Sequence, residues 1–275
     1  MVIKIILFFL FFSLSQHSRA QHLPFFINTT EADGLSDNRI TCFYKDNTGY
    51  MWIGTENGLN RFDGVNFKIY RPIPDKKKTL SHSFITAITQ NDDGDIIAAT
   101  KKGVTRINAA SGFSEIINYE DNLSKINLAA ESVWDVYPDG EKLWIAIDGK
   151  PLLCYNTKTK KALYYDFKNF LNNNKIEFTA LYHSIFKILP DGKSGLWLAT
   201  TEGIVHLDKI TGAFTLMAGI ALDEITLFKY NADAQKIYCT DEKNILYIFD
   251  IAAKKLNSIS LNTAAMQNKK LRPYF

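Results

Sequence analysis

The chain repeats itself. Gly34 to Tyr70 reads GLSDNRITCFYKDNTGYMWIGTENGLNRFDGVNFKIY, and worn copies of that passage follow. Ile40, Phe43, Asp46, Trp52, Gly58 and Asp63 return as Ile85, Ile88, Asn91, Ile97, Gly103 and Asn108. They return again as Ile185, Ile188, Asp191, Trp197, Gly203 and Asp208. A third copy runs through Val133, Val136 and Asp139 and reaches Trp144 one residue early, and a fifth runs through Ile225, Phe228 and Asn231 and reaches Tyr238 one residue late. A fixed internal period decides the architecture, because each copy must be one structural unit that buries its apolar face against its neighbours.

Each unit holds four short apolar runs; in the first they are ITCFY, YMWIGT, LNRFD and NFKIY. They are rich in β-branched and aromatic residues and are separated by turn residues such as Asp46-Asn47-Thr48-Gly49. No window sustains an apolar period of 3.6 residues. Four strands in about 45 residues predict an all-β propeller blade. The five units span 34–70, 79–119, 128–167, 176–217 and 222–260. Trp52, Trp144 and Trp197 share one phase and are expected to be buried between blades rather than to stack on a ligand. Trp134 lies outside that column, on the first strand of its unit, and is also expected in the core.

The sequence GLSDNRI…DNTGYMWIGTENGLNRFDG…FKIY resembles the two-component regulator propeller repeat. The first unit is the closest match. The second has Ile97 in the Trp position, and the third reads GKPLLCYN at Gly149 to Asn156, which breaks the Gly-Leu pairing. The resemblance implies the periplasmic sensor half of a hybrid two-component regulator of Bacteroidetes. It implies a glycan breakdown product as input, further propeller blades and a kinase module downstream, a homodimer as one arrangement of the parent, and inner-membrane anchoring of that parent. The five visible units are expected to be part of a larger propeller. Phe25-Phe26-Ile27 reads as a spare outermost strand with no vacancy to fill.

The remaining sequence sets bounds. Lys4, the apolar run Ile5 to Leu14 and Ser18-Arg19-Ala20 read as a signal peptide over 1–20, cleaved before Gln21. That run is too short to span a bilayer, which takes about 20 apolar residues, and no later stretch is longer. The expected location is the periplasm, with no membrane span in the chain. The formal charge of +3 includes Lys4 and Arg19, so the mature chain is nearly neutral. That balance argues against nucleic acid as a partner and for an uncharged or weakly charged ligand. The basic tail Lys269, Lys270 and Arg272 reads as a solvated end. Cys42, Cys154 and Cys239 are widely spaced and read as small core residues. Asn91-Asp92-Asp93-Gly94-Asp95 reads as a hairpin turn rather than a Ca²⁺ loop, since it lacks the closing Glu. No metal, cofactor or catalytic set is expected. The kinase chemistry of the implied parent has no counterpart here, so the chain is read as a non-enzyme.

In a propeller, one face collects the loops that enter each innermost strand and the hairpins between second and third strands. Recognition residues concentrate on such loops. The candidates on that face are Asn38, Arg39, Glu56, Asn57, Ser81, His82, Lys101, Lys102, His183, Thr201 and Glu202. The linkers 121–130 and 169–178 are longer and polar. Two other functions fit the same fold: a stand-alone exported interaction scaffold, and a propeller lyase or glycosidase, which needs acid/base residues converging on the channel.

Overall fold

The structure, a computed structural model, describes residues 28–76, 78–121, 126–174, 183–220, 225–241 and 243–261. The signal peptide, the strand expected at Phe25 to Ile27, the basic tail and parts of both long linkers lie outside the described residues.

The chain is a β-propeller of five four-stranded antiparallel blades, each a meander in strand order. Blade 1 comprises β1 (Ile40–Lys45), β2 (Met51–Thr55), β3 (Gly58–Phe62) and β4 (Phe67–Tyr70). Blade 2 comprises β5 (Ile85–Gln90), β6 (Ile96–Thr100), β7 (Val104–Ile107) and β8 (Ser114–Ile116). A two-stranded ribbon, β9 (Glu120–Asp121) and β10 (Ile126–Asn127), leads into blade 3. Blade 3 comprises β11 (Val133–Asp139), β12 (Lys142–Ile147), β13 (Leu152–Asn156) and β14 (Ala162–Tyr165). Blade 4 comprises β15 (Ile185–Pro190), β16 (Gly195–Thr200), β17 (Gly203–Asp208) and β18 (Phe214–Gly219). Blade 5 comprises β19 (Ile225–Asn231), β20 (Lys236–Asp241), β21 (Ile245–Asp250) and β22 (Lys255–Ser260).

Among the described residues one α-helix interrupts the pattern. α1 (Phe167–Asn173) occupies part of the linker read as a polar loop, with Asp166 capping it by accepting a hydrogen bond from the Asn169 amide at 2.9 Å. Phe167 and Leu171 share one face and enter the core between blades 3 and 4. Two turns are too few for that period to stand out in the sequence.

The repeat column explains the packing. Trp52, Ile97, Trp144, Trp197 and Tyr238 pair with Tyr44, Thr89, Tyr137, Leu189 and Lys229, the same register step in every blade. Trp52, Trp144 and Trp197 are 0%, 1% and 5% exposed. Each packs against the next blade: Trp52 against Ile85, Ile88, Ile96 and Ala98, Trp144 against Ile185 and Ile188, and Trp197 against Ile225 and Phe228. Fully burying a ring of that size contributes several kcal/mol. Four apolar seams result, joining each blade to the next. Among the described residues no such core joins blade 5 to blade 1.

The Asp column makes the turns. Asp46 accepts hydrogen bonds from the Thr48 amide (3.0 Å) and hydroxyl (2.7 Å), the Tyr50 amide (2.9 Å) and Trp52 Nε1 (2.7 Å). Asn91 accepts from the Asp95 amide at 2.8 Å, and Asp95 pairs with Arg106 at 2.8 Å, so this acidic stretch is a hairpin turn. The three cysteines are free, and burial pushes their thiol pKa values up to about 11 for Cys42 and Cys154 and about 12 for Cys239. They are inert thiols in the strands.

Candidate functional site

Two devices shape the face that the loops share. The first is the hairpin between second and third strands. The hydroxyls of Thr55, Thr100 and Thr200 donate to the carbonyls of Gly58, Gly103 and Gly203 at 2.9, 3.0 and 3.0 Å. Gly203 has φ +125°, and a Cβ there would lie 2.1 Å from the Ala218 carbonyl oxygen, so the position requires glycine. The hairpin tip is then tied to the loop entering the innermost strand. The Glu56, Lys101, Asp148 and Thr201 amides donate to the carbonyls of Arg39, Phe84, Ser132 and Ser184.

The second device is a β-bulge. The register shifts once in every innermost strand, between Ile40 and Cys42, Ile85 and Ala87, Val133 and Asp135, Ile185 and Lys187, and Ile225 and Leu227. The extra residues are Thr41, Thr86, Trp134, Phe186 and Thr226. A bulge frees one residue from the ladder and re-aims its side chain.

Four of these residues, Thr41, Thr86, Trp134 and Phe186, line one cavity of about 340 Å³. Ile40, Glu56, Phe84, Lys101, Lys187 and Ile225 complete it, so the innermost strands of all five blades contribute and the cavity lies on the propeller axis. Its floor is aromatic. Trp134 and Phe186 meet edge to face with centroids 5.6 Å apart. Lys101 Nζ lies 4.1 Å from the Trp134 ring centroid and 5.4 Å from that of Phe84. Trp134 Nε1 donates to Asp148 Oδ1 at 3.0 Å, and the Ser184 hydroxyl donates to the same oxygen at 2.7 Å. Asp148 sits in the hairpin where the third unit departs from the repeat. That hairpin is four residues long, 148–151, against two in blades 1 and 4.

Glu56 is ion-paired with Arg39 at 2.5 Å, and Arg39 also reaches Asp37 at 3.2 Å. The Arg39 hydrogen bond holds the Asp37 carboxyl below its ordinary pKa. Deeper, Asp135 accepts from the Ile188 amide at 2.8 Å and lies 4.0 Å from Lys187. Burial pushes the Asp135 pKa up.

The candidates named from sequence separate into groups. Glu56 and Lys101 line the axial cavity, and Arg39 braces Glu56. Asn38 is bound to Glu31, its amide donating to the Glu31 carboxylate at 3.1 Å. Asn57 closes its hairpin through Thr55 at 3.1 Å. Ser81 ties its loop to Thr100 and Thr105 at 3.0 Å each. His82 Nδ1 accepts from the Phe84 amide at 3.0 Å; burial and then the charge of Lys102 lower its pKa. His183 and Glu202 form a mostly buried pair at 2.5 Å, with Thr201 donating to Glu202 at 2.7 Å. His183 lines a second cavity of about 290 Å³ with Gly149, Lys150 and Phe167.

The sequence reading missed Phe84 and Phe186 and placed Trp134 in the core. Trp134 is half-buried; its ring packs against the blade 3–4 core and also forms a cavity wall. The signal that finds Trp134 and Phe186 is the position after the repeat's first anchor, which is Thr in three units and aromatic in two; Phe84 lies before its anchor, where this signal does not reach.

The arrangement is flat aromatic surface with a few polar groups at its rim, which suits a ligand with apolar ring faces and hydroxyls. Residues 34–57 match the family model for the two-component regulator propeller. A curated relative, Histidine kinase P4 of Formosa agariphila, is 43% identical over 82 residues, which are 29% of this chain and 6% of that protein. The extracellular domain assigned to the hybrid two component system BT3049 of B. thetaiotaomicron aligns over 84% of this chain and 31% of its own, with TM-score 0.66 and 16% identity. The corresponding domain of BT4673 from the same organism aligns over 81% and 31%, with TM-score 0.63 and 20% identity. At that identity the two solved structures show the propeller fold alone. The chain spans about a third of their length and a small part of the curated relative.

Proposed function

We propose that this regulator propeller is the ligand-sensing segment of an exported hybrid two-component sensor, and that a glycan fragment binds in its axial cavity. The observation that carries the reading is the aromatic floor formed by Phe84, Trp134 and Phe186 where the bulges open onto the axis. The repeat at 34–57 and the kinase relative support a signalling context, with the output module supplied elsewhere in a longer protein. Export through a leader over 1–20 belongs to the same proposal. Among the described residues lining the cavity, Glu56 is the single carboxylate, and Arg39 holds it at 2.5 Å. Paired-carboxylate hydrolysis needs two such groups facing the substrate, so the lining favours binding over turnover.

The test is calorimetric titration of the intact protein with plant and host glycan fragments, with product analysis alongside. One class should bind without being cleaved. Trp134→Ala should weaken binding about tenfold, the worth of one aromatic contact. Retained binding in Trp134→Ala together with loss in His183→Ala would move the ligand to the second cavity. Cleavage of a fragment, or binding of none, rejects the sensor reading.

A further inference from the structure

Lys101 occupies the surface that a sugar would need. Its ammonium lies over Trp134 at 4.1 Å and beside Phe84 at 5.4 Å, while Phe186 meets Trp134 edge on. A ring that stacks on this part of the indole must move the ammonium aside.

The other charges at the rim are already engaged. Glu56 is held by Arg39 at 2.5 Å, and Asp148 accepts from Trp134 and Ser184 at 3.0 and 2.7 Å. Lys187 faces Asp135 at 4.0 Å. Among the described residues no carboxylate lies within 4.0 Å of Lys101 Nζ. The aromatic faces take the place of a counter-ion, through the attraction between a cation and the ring quadrupole.

A neutral ligand that displaced this ammonium would remove the cation–ring contact and offer it only hydroxyl acceptors, without an opposing charge. An anionic ligand replaces the contact with a charge-assisted hydrogen bond, which is roughly twice as strong as a neutral one. We infer that the axial cavity selects an acidic saccharide, and that Lys101 is the specificity residue, lifted from Trp134 by the ligand's carboxylate or sulfate as the sugar ring takes its place. This rests on the sensor reading of the cavity and narrows it, against the near-neutral charge of the whole chain, because a local cation decides what a cavity of this size accepts.

The experiment uses the intact chain and matched probes: oligogalacturonate beside its methyl ester, and a sulfated oligosaccharide beside its desulfated form. Whichever acidic probe binds identifies the anion as carboxylate or sulfate. It should bind at least tenfold more tightly than its neutral counterpart, with the advantage shrinking as salt rises. Lys101→Met keeps the apolar stem and removes the charge. It should abolish the preference by weakening the acidic probe, and Lys101→Arg should restore the preference. Indole emission should shift on Lys101→Met without ligand and on adding the acidic probe to wild type. Equal binding of acidic and neutral probes, or a preference that survives Lys101→Met, overturns this inference and leaves the sensor reading standing. Binding of neither probe nor any glycan overturns both.

Discussion

At the scale of single residues, the turn aspartates stabilise the repeat. Burial works to raise the Asp46 pKa, but the hydrogen bonds from Trp52, Thr48 and Tyr50 outweigh it and hold the carboxyl below its ordinary value of 3.8. Asp139 and Asp191 shift the same way, burial again being overcome by Lys209 and Trp144 in one and by His206 and backbone amides in the other. A folded pKa below the unfolded one adds stability that is present above about pH 4 and lost as pH falls through the folded value. Asp46→Asn should cost about 2 kcal/mol at pH 7, the scale of a buried group losing charged hydrogen bonds. Urea melts at pH 7 and pH 3 should show a smaller acid loss for this variant than for wild type. The Trp column gives a sharper comparison. Trp52 Nε1 donates to Asp46, whereas in blade 4 Asp191 turns to His206 at 3.0 Å and Trp197 Nε1 is buried with no partner among the described residues. Trp52→Phe strands a carboxylate oxygen and Trp197→Phe removes a stranded donor. The first should therefore cost about 1–2 kcal/mol more than the second in denaturant melts.

At the scale of elements, what was legible in the sequence is what every blade shares. The anchors at Ile40, Asp46, Trp52 and Gly58 recur at matching register positions in most units, so their recurrence revealed strands, turns and seams together. The site was less legible for the same reason. Its side chains are the ones that differ between blades, and difference has no period. Trp134 looked like one more core tryptophan because nothing local announces a bulge; the shift becomes visible only when Val133 and Asp135 are paired across to Ile147 and Ala146. The blade 3 hairpin was noticed as a break in the pattern, yet its purpose depends on a hydrogen bond between Asp148 and Trp134, fourteen positions apart. Replacing 148–151 with the two-residue Thr-Glu tip of blade 4 should loosen the indole. Ligand affinity should fall by about tenfold, the worth of one such bond to a charged group. The melting temperature should change little, because the hairpin tip lies outside the apolar seams. Titration and a thermal melt of the same variant separate the two effects.

At the scale of the whole molecule, the four seams leave two blade faces unlike the rest. Ile88, Val136, Ile188 and Phe228 are 9%, 4%, 3% and 5% exposed, while Phe43, at the same place in blade 1, is 62% exposed. An apolar column without its facing blade tends to find one on another molecule. This chain expressed by itself should associate in sedimentation experiments at tens of micromolar. Phe43→Lys should shift it toward monomer without lowering the melt. A monomer in the unaltered chain would mean that the first and fifth blades meet in solution.

The bulges have a consequence beyond this one cavity. Each takes one residue out of the ladder that carries it, so a substitution there leaves the strand pairing of its blade in place. The axis therefore works like a lock with one pin in each of the first four blades. Changing Thr41 or Thr86 to an aromatic should reshape the chamber wall while the strand pairing around it stays the same.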